Sequence, residues 1–422
     1  MNHTRLLLLI LVCLLTLTPF SCKGEPDVWN IGVDPEEDWF DSTLGAEATP
    51  LVFTHLPVLI ADLGQVFPLG MAGSHVFPAD HIYLAQSARV TPQEMLTNAT
   101  VYAPASGKIH YIETPEESSS TYDDYSIRIA VSKDVTYIFG HIMMDAEVLQ
   151  RLHVGDMVEA GEILGTFGPV SKLDLYVLDR ARGNSLDNDK YPMTMPYAQN
   201  PFSYFPDELR EQLYDKLLPP KPAGSHDDAM AVLQRHDPTL DGGHSSSYLS
   251  LIDDSTQSTE EVFRTHYLDL RSTFPSIEGT FTYDIANCLQ GNWFVPLSEG
   301  RWDEGISFHY DHWYPSQPRI RVSQPFPTVG EIRGFALLPS QDGFIPFADA
   351  AVGEEVVYVL YDTSFCNWHG VPYEDPLDVG NENPIGLLLV KIERSDMIKV
   401  EAFAYNSSLH ADFTSHARYY YR

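Results

Sequence analysis

The sequence predicts a mainly β protein with two domains: an antiparallel β-sheet domain, followed by a second domain built as a β-sandwich or barrel. Two observations predict this fold class. In both halves of the chain, short apolar segments are separated by turns that contain Gly, Pro, Asp or Ser. The chain has 422 residues, of which 44% are hydrophobic and 12% aromatic, so it can bury two cores.

Changes in composition along the chain place the expected boundaries. They separate a signal peptide (residues 1–22), an acidic extension (23–50), the first β domain (51–218), a linker (219–258) and the second β domain (259–422). The linker is predicted because this part of the sequence is rich in Gly, Ser, Asp and His.

The N-terminal segment has the pattern of an export signal. An apolar run, Leu6–Leu17, follows Arg5 and ends shortly before Ser21 and Cys22. The run is too short to span a bilayer comfortably, so it predicts a signal peptide. A cysteine placed here after a small residue is typical of bacterial lipoproteins. We therefore expect an exported bacterial protein that Cys22 anchors to a membrane, in the periplasm or at the cell surface; ordinary secretion is the alternative.

The charge balance is strongly acidic. There are 59 Asp and Glu residues against 26 Lys and Arg residues, which gives a formal charge of −33. Nucleic acids and anionic membrane surfaces require a basic surface on a partner protein. The composition therefore argues against both, and any membrane contact is expected through the lipid anchor.

Four cysteines are present. Cys13 lies in the signal peptide and Cys22 at the acylation position, which leaves Cys288 and Cys366 in the mature chain. In an oxidising compartment these two can form one disulfide, or each can be a separately buried thiol. No C-x-x-C spacing indicates a zinc site.

Three segments of the first domain read as short strands separated by turns: Val101–Ile112, Tyr125–Ile142 and Val154–Val177. Leu51–Leu69 adds one or two strands. The sequence after Pro206, DELREQLYDKLL, predicts a helix, because acidic residues come early, Lys216 comes late, and Pro219 follows.

The second domain is expected to contain eight strands. They are Thr280–Ile285, Ile306–Tyr310, Arg319–Val322, Gly334–Leu338, Val356–Tyr361, Gly386–Ile392, Ile398–Ala404 and Arg418–Tyr421.

The first domain resembles the LytM/M23 (lysostaphin-type) family of zinc endopeptidases. The resemblance runs from about Phe67 to Phe205 and lies in the order of Asp80, the AP-x-x-G turn, YIFGHI, the GD-x-V-x-x-G hairpin and KLDLYV. It implies an antiparallel β fold with hairpins like those of lipoyl-type carrier domains. It also implies Zn²⁺ as the cofactor and a cell-wall peptide as the substrate.

The resemblance assigns candidate site residues one by one. Asp80 matches a zinc ligand, and the nearest upstream histidine is His75, five residues before it rather than the four usual in the family. His141 matches a catalytic histidine in a turn. Where the family has His-x-His, this chain has Lys172-Leu173-Asp174, so Asp174 takes the place of the last ligand and Lys172 that of the general base. The implied metal set is therefore His75, Asp80 and Asp174, with His81 as the alternative to His75 and with His141 assisting.

Each of these residues also has a structural interpretation. His75 and His81 flank the turn around Asp80 and can cap it, and His141 can have a hydrogen-bonded role in its turn. A protonated lysine neither binds zinc nor accepts a proton, and Lys172 can fill a former metal pocket by pairing with Asp174. On this interpretation there is no cofactor.

The second domain resembles no family. His309 and Asp311 share one face of a predicted strand and suit a metal, although an exposed sheet face is the commoner explanation. Two functions remain open for the whole chain. The first is a catalytically impaired M23-like module that binds a cell-wall peptide or an envelope protein. The second is a zinc-dependent peptidoglycan endopeptidase with a variant metal site.

Overall fold

The computed structural model describes most of the two β regions of the chain. The described residues are 39–46, 50–71, 75–86, 99–115, 124–167, 172–186, 190–191, 194–217, 278–296, 304–313, 317–362, 383–406 and 412–422.

Ten strands form one antiparallel sheet in the first half of the chain. Their order is β1-β2-β9-β6-β5-β4-β7; β10 pairs with β9, and β8 pairs with β3 and β6. The strands are β1 (Leu63–Phe67), β2 (Ile82–Gln86), β3 (Thr100–Tyr102), β4 (Gly107–Glu113), β5 (Tyr125–Ala130), β6 (Val135–Met143), β7 (Met157–Val158), β8 (Ile163–Phe167), β9 (Lys172–Asp179) and β10 (Ala198–Gln199).

Strand β9 shows how the sheet divides into two faces. Leu173, Leu175 and Val177 are fully buried in the hydrophobic core of this half. Lys172 and Asp174 alternate with them, and side chains on a strand alternate between faces. The sheet therefore has an apolar face on the core and a polar face around Asp174.

Two short helices flank the sheet. Helix α1 (Ala146–Arg151) begins at Asp145, whose carboxylate accepts hydrogen bonds from two backbone N–H groups of the first turn. Helix α2 (Asp207–Tyr214) is the helix predicted after Pro206. None of the helices in the described residues has the length and apolar character needed to cross a bilayer.

Eight strands of the second half form a closed antiparallel barrel. Closure brings Phe294 of the first strand opposite Tyr421 of the last, so the barrel leaves no open edge. The strands are β11 (Gly291–Phe294), β12 (Gly305–Tyr310), β13 (Pro318–Val322), β14 (Gly334–Ala336), β15 (Glu355–Asp362), β16 (Gly386–Arg394), β17 (Met397–Ala404) and β18 (Arg418–Tyr421). A mainly β chain, with an antiparallel sheet followed by a barrel, confirms the predicted fold class.

The segment that precedes the barrel lies against the first half of the chain. Leu69 and Gly279 form a parallel β-bridge, and the Leu69 N–H donates to the Glu278 carbonyl at 2.9 Å. The side chains of Asn200 and Tyr214 both donate hydrogen bonds to the Glu278 carboxylate. These contacts join the barrel to the sheet and to α2.

Some predicted elements are wrong. Thr280–Ile285 is irregular chain rather than a strand. Of the one or two strands predicted in Leu51–Leu69, one is present as β1, and residues 51–60 form none. The strands β2, β10 and β11 and the helix α1 have no counterpart among the predictions.

Several predictions fall outside the described residues and stay predictions. They are the signal peptide, Cys22, the linker, and Cys366 with its disulfide to Cys288. Cys288 itself is buried, and its Sγ lies 3.4 Å from the Ile285 carbonyl oxygen.

Candidate functional site

Asp174 lies in the middle of the polar face of the sheet. Across the strands β1, β2, β9 and β6, register pairs place Phe67, Tyr83, Asp174 and Gly140 in one row. The side chain of Asp174 is only 8% exposed. Gly140 leaves room beside it, because a Cβ there would lie 3.3 Å from the Asp174 Cβ, a tight contact.

His81 connects Asp174 to Asp80. Its Nδ1 lies 2.9 Å from Asp80 Oδ1, and its Nε2 lies 3.6 Å from Asp174 Oδ2. Asp80 and His81 are almost completely buried, at 0% and 1% exposure. The ring of His81 is packed between Tyr83 and Tyr176, at centroid distances of 4.6 and 4.0 Å, so its position is fixed from both sides.

His141 approaches the same oxygen of Asp174 from another direction. Its Nε2 lies 3.7 Å from Asp174 Oδ2, and its Nδ1 lies 3.0 Å from Asp124 Oδ2. The backbone of His141 has a positive φ of 60°, a conformation that is uncommon for residues other than glycine. Strain of this kind often marks functional sites. Unlike His81, the side chain of His141 is 32% exposed.

These residues form a line in which carboxylates and imidazoles alternate. We call Asp80, His81, Asp174, His141 and Asp124, in this spatial order, the Asp–His cluster. Each imidazole has one nitrogen near an outer carboxylate and the other near Asp174. Each ring can donate a hydrogen bond from one nitrogen and accept one at the other. The line runs from Asp80, which is fully buried, to Asp124, whose side chain is 18% exposed.

One carboxylate oxygen at each aspartate of the cluster has no hydrogen-bond donor among the residues that the structure describes. Within the described residues, Asp80 Oδ2, Asp124 Oδ1 and Asp174 Oδ1 are shielded from solvent and make no hydrogen bond. Buried acceptors in folded proteins are nearly always satisfied. Exceptions such as these three are typical of a place where another molecule supplies the donors.

Lys172 shares a strand face with Asp174 but its ammonium group lies over the Phe67 ring, 4.6 Å from the centroid. Burial lowers the pKa of Lys172 to about 8, and the charge of Asp174 acts in the opposite direction. The residue that stands at the family's general-base position is therefore packed against an aromatic ring.

His75 lies next to the cluster and is not part of its line. Its ring centroid is 6.0 Å from that of His81. Burial lowers the pKa of His75 to about 3, with further contributions from the charges of His81, Arg321 and His141, so the imidazole is neutral at pH 7.

A zinc ion normally takes three protein ligands. Among the described residues, no group of three or more His, Cys, Asp or Glu side chains is arranged to hold a metal ion. The reason is visible at His81, whose ring stands between Asp80 and Asp174. The set His75, Asp80 and Asp174 does not fit zinc in this arrangement and stays a prediction.

Sequence reasoning found most of the cluster. Asp80, Asp174 and His141 were predicted as site residues, and the structure brings all three to His81 or to each other. His81 had been considered as a cap or a ligand, whereas Asp124 was missed. No signal in the sequence marks Asp124, because it reaches His141 only through the pairing of β5 with β6.

Comparisons with known proteins give limited matches. No model of a protein family matches the chain, and no curated protein matches it in sequence. Among solved structures, Csd3 of Helicobacter pylori is similar with 14% identity and a TM-score of 0.24, over 46% of this chain and 44% of Csd3. A zinc-containing peptidase from Vibrio cholerae has 17% identity and a TM-score of 0.22, over 31% and 37% of the two chains. Lysostaphin from Staphylococcus simulans has 17% identity and a TM-score of 0.22, over 36% and 53%.

This chain thus spans about half or less of the length of each of these three proteins. Matches at this level do not assign the chain to a family. The resemblance read from the sequence stays a prediction.

Proposed function

We propose that the chain is a non-catalytic binding module of the bacterial cell envelope, which holds a cell-wall peptide or an envelope protein at the Asp–His cluster. One observation carries the proposal: the imidazole of His81 stands between Asp80 and Asp174. The two carboxylates therefore cannot close on one zinc ion. A zinc peptidase needs that ion to activate water.

The chemistry of the cluster suits a ligand that donates hydrogen bonds. Asp174 Oδ1 and Asp124 Oδ1 are shielded acceptors without a donor in the described part of the chain, and they flank His141, whose side chain is 32% exposed. Peptide N–H groups and protonated amines are the donors that such oxygens take, and charge-assisted hydrogen bonds of this kind are strong. Cell-wall peptides carry both kinds of donor.

Metal analysis tests the non-catalytic part of the proposal. We expect purified mature protein to contain well under one equivalent of zinc and to release no soluble fragments from peptidoglycan. One equivalent of zinc that is lost, together with a hydrolytic activity, in Asp174→Asn would overturn the proposal.

Co-sedimentation with purified peptidoglycan sacculi tests the binding part. We expect Asp174→Asn to weaken binding about tenfold, because the variant loses a charge at the centre of the cluster. Asp396→Asn is the matched control, since Asp396 is an exposed aspartate paired with Arg394 on the barrel. Equal binding by both variants would place the ligand elsewhere.

A zinc-dependent peptidoglycan endopeptidase is the second candidate. The observation in its favour is that His81 Nε2 and His141 Nε2 both face Asp174 Oδ2, at 3.6 and 3.7 Å. Two imidazoles and one carboxylate are donors that zinc accepts. The zinc measurement above separates this candidate from the first.

Export and lipid anchoring are proposed from the sequence around Cys22. We expect Cys22→Ala to move the protein from the membrane fraction to the soluble fraction. Cys13→Ala, which changes a cysteine inside the apolar run, should leave it in the membrane fraction. Membrane retention of the Cys22 variant would contradict the anchor without bearing on the Asp–His cluster.

A further inference from the structure

The barrel packs against the loop that carries Asp80 and His81. The described residues 75–81, which lead into β2, are called the site loop. Just before it in the chain, at the end of β1, Phe67 packs against Trp313 with ring centroids 5.3 Å apart. Within the site loop, Phe77 packs against Phe294 at 4.9 Å.

Two hydrogen bonds run from the barrel to backbone carbonyls of the site loop. The Ser307 hydroxyl donates to the Val76 carbonyl at 2.5 Å. Arg321 Nε donates to the His75 carbonyl at 3.4 Å. Ser307 and Arg321 are register partners on β12 and β13, so one spot on the barrel holds two consecutive carbonyls, four and five residues before Asp80.

The contacts of Ser307 define which atom donates in its hydrogen bond with His309. The single hydroxyl proton of Ser307 goes to Val76, so the serine oxygen is an acceptor for His309 Nδ1, which lies 3.1 Å away. His309 therefore carries its proton on Nδ1. Burial, followed by the charges of Arg321 and Arg319, lowers the pKa of His309 to about 3, which agrees with a neutral ring. The chain of donors runs from His309 through Ser307 to Val76.

We propose that the barrel is a positioning element of the Asp–His cluster: Ser307 and Arg321 hold the site loop where Asp80 reaches His81 and His81 reaches Asp174. Loops of this length lose much conformational entropy on ordering, and the barrel supplies contacts that offset this loss. Among the described residues, the Ser307 hydroxyl bonds to the Val76 carbonyl and to His309, so it acts on the cluster through the loop backbone. The proposal deepens the proposed function and rests on it, because it gives the second domain a role at the same site.

Histidine NMR on the full mature chain, labelled with ¹⁵N in its imidazole rings, tests the inference. In Ser307→Ala we expect the His81 ring signals to shift and binding to sacculi to fall about fivefold. Ser307→Thr keeps the hydroxyl and should restore both. Ser323→Ala is the matched control, because Ser323 is also buried and its Oγ accepts a hydrogen bond from the Gly305 N–H inside the barrel.

The outcomes separate the inference from the proposed function. Unchanged His81 signals in a folded Ser307→Ala protein, or an equal shift in Ser323→Ala, would overturn the positioning role. A wild-type chain that binds no sacculi, but whose His81 signals respond to Ser307→Ala alone, would refute the proposed function and support the positioning role. If Ser307→Ala does not fold, Arg321→Met removes the second donor, and the same two readings decide.

Discussion

Two imidazole nitrogens, one from His81 and one from His141, approach the Asp174 carboxylate because three neighbouring strands meet around it. Its partner on β6 is Gly140, which has no side chain and leaves the carboxylate room. The next residue, His141, turns with a positive φ and brings its ring back toward Asp174. The histidine and the glycine before it act together, which a residue-by-residue comparison with a motif does not reveal.

The sequence predicted Asp80, Asp174 and His141, because their order along the chain is that of a known motif. It did not predict which histidine lies beside Asp80. The spacing of the motif indicates His75, yet the adjacent His81 contacts Asp80, with its Nδ1 2.9 Å from Asp80 Oδ1. Hydrogen-bond geometry in a turn depends on backbone angles, and spacing alone does not fix them.

Lys172 gives a prediction at the scale of one residue. Its pKa is lowered to about 8 from 10.5, so between these values the unfolded chain binds a proton that the folded chain does not. Stability therefore rises with pH between pH 8 and pH 10.5. Below pH 8, burial of the protonated lysine lowers the free energy of unfolding by the full amount, about 3 kcal/mol for such a shift. We expect Lys172→Met to raise the free energy of unfolding at pH 7, measured by urea titration. The increase should be smaller at pH 10.5.

The control for Lys172→Met is Lys399→Met. Lys399 also places its ammonium group over an aromatic ring, that of Phe413 at 4.4 Å. Lys399 is only half-buried, whereas Lys172 is buried, so Lys399→Met should not raise the free energy of unfolding at pH 7. A gain from Lys172→Met that does not depend on pH would contradict the burial argument.

At the scale of the element, most strands were predictable, because alternating apolar residues and turn residues mark them. The failures have physical reasons. Leu51–Ile60 is apolar because it packs on the core, with Phe53 fully buried, and not because it pairs in a sheet. Thr280–Ile285 has β-prone residues but lies where the chain passes between the sheet and the barrel. An apolar segment that is buried without pairing in a sheet has the same sequence pattern as a strand.

The second prediction concerns Gly279, a glycine at a point where two chain segments touch. Gly279 has a φ of +79°, and a Cβ there would collide with the Leu69 carbonyl oxygen across the β-bridge. Gly343 has the same φ of +79° and open space around it. Both Ala variants meet backbone strain of roughly 1 kcal/mol, but only Gly279→Ala also meets a steric clash.

We therefore expect Gly279→Ala to lower the free energy of unfolding clearly more than Gly343→Ala, in the same urea titration. The difference between the two variants measures the contact, because the backbone term is common to both. Equal losses would mean that the parallel bridge contributes little to joining the barrel and the sheet.

At the scale of the whole molecule, the contact between the sheet and the barrel could not be read from the sequence. Ser307, His309 and Asp311 alternate with buried Phe308 on β12 and read as a polar, outward face. The face does point outward from the barrel core, yet all three residues are at most 5% exposed. Ser307 bonds to Val76 of the first half of the chain, and the His309 ring lies 5.9 Å from that of Tyr283. Asp311 forms an ion pair with Arg319 there, with Arg319 Nη2 2.8 Å from Asp311 Oδ2. The carboxylate that was expected to suit a metal together with His309 is thus paired with an arginine.

The buried imidazole of His309 makes this contact sensitive to acid. Its pKa is about 3 in the folded chain, against an ordinary value of 6.5. Between pH 6.5 and pH 3 the unfolded chain thus binds a proton that the folded chain does not, and stability falls as the pH is lowered. The loss between pH 6.5 and pH 5 amounts to about 2 kcal/mol for a shift of this size.

We expect His309→Gln, which cannot take up that proton, to lose about 2 kcal/mol less than the wild type when the pH is lowered from 7 to 5. Urea unfolding at both pH values measures the difference, and the contributions of all other groups cancel between the two proteins. His153→Gln is the control, because His153 is an exposed histidine near Asp156 and should leave the acid loss close to that of the wild type. An acid loss in His309→Gln equal to the wild type's would show that His309 meets water in the folded chain, and that the barrel face is less tightly covered than its contacts indicate.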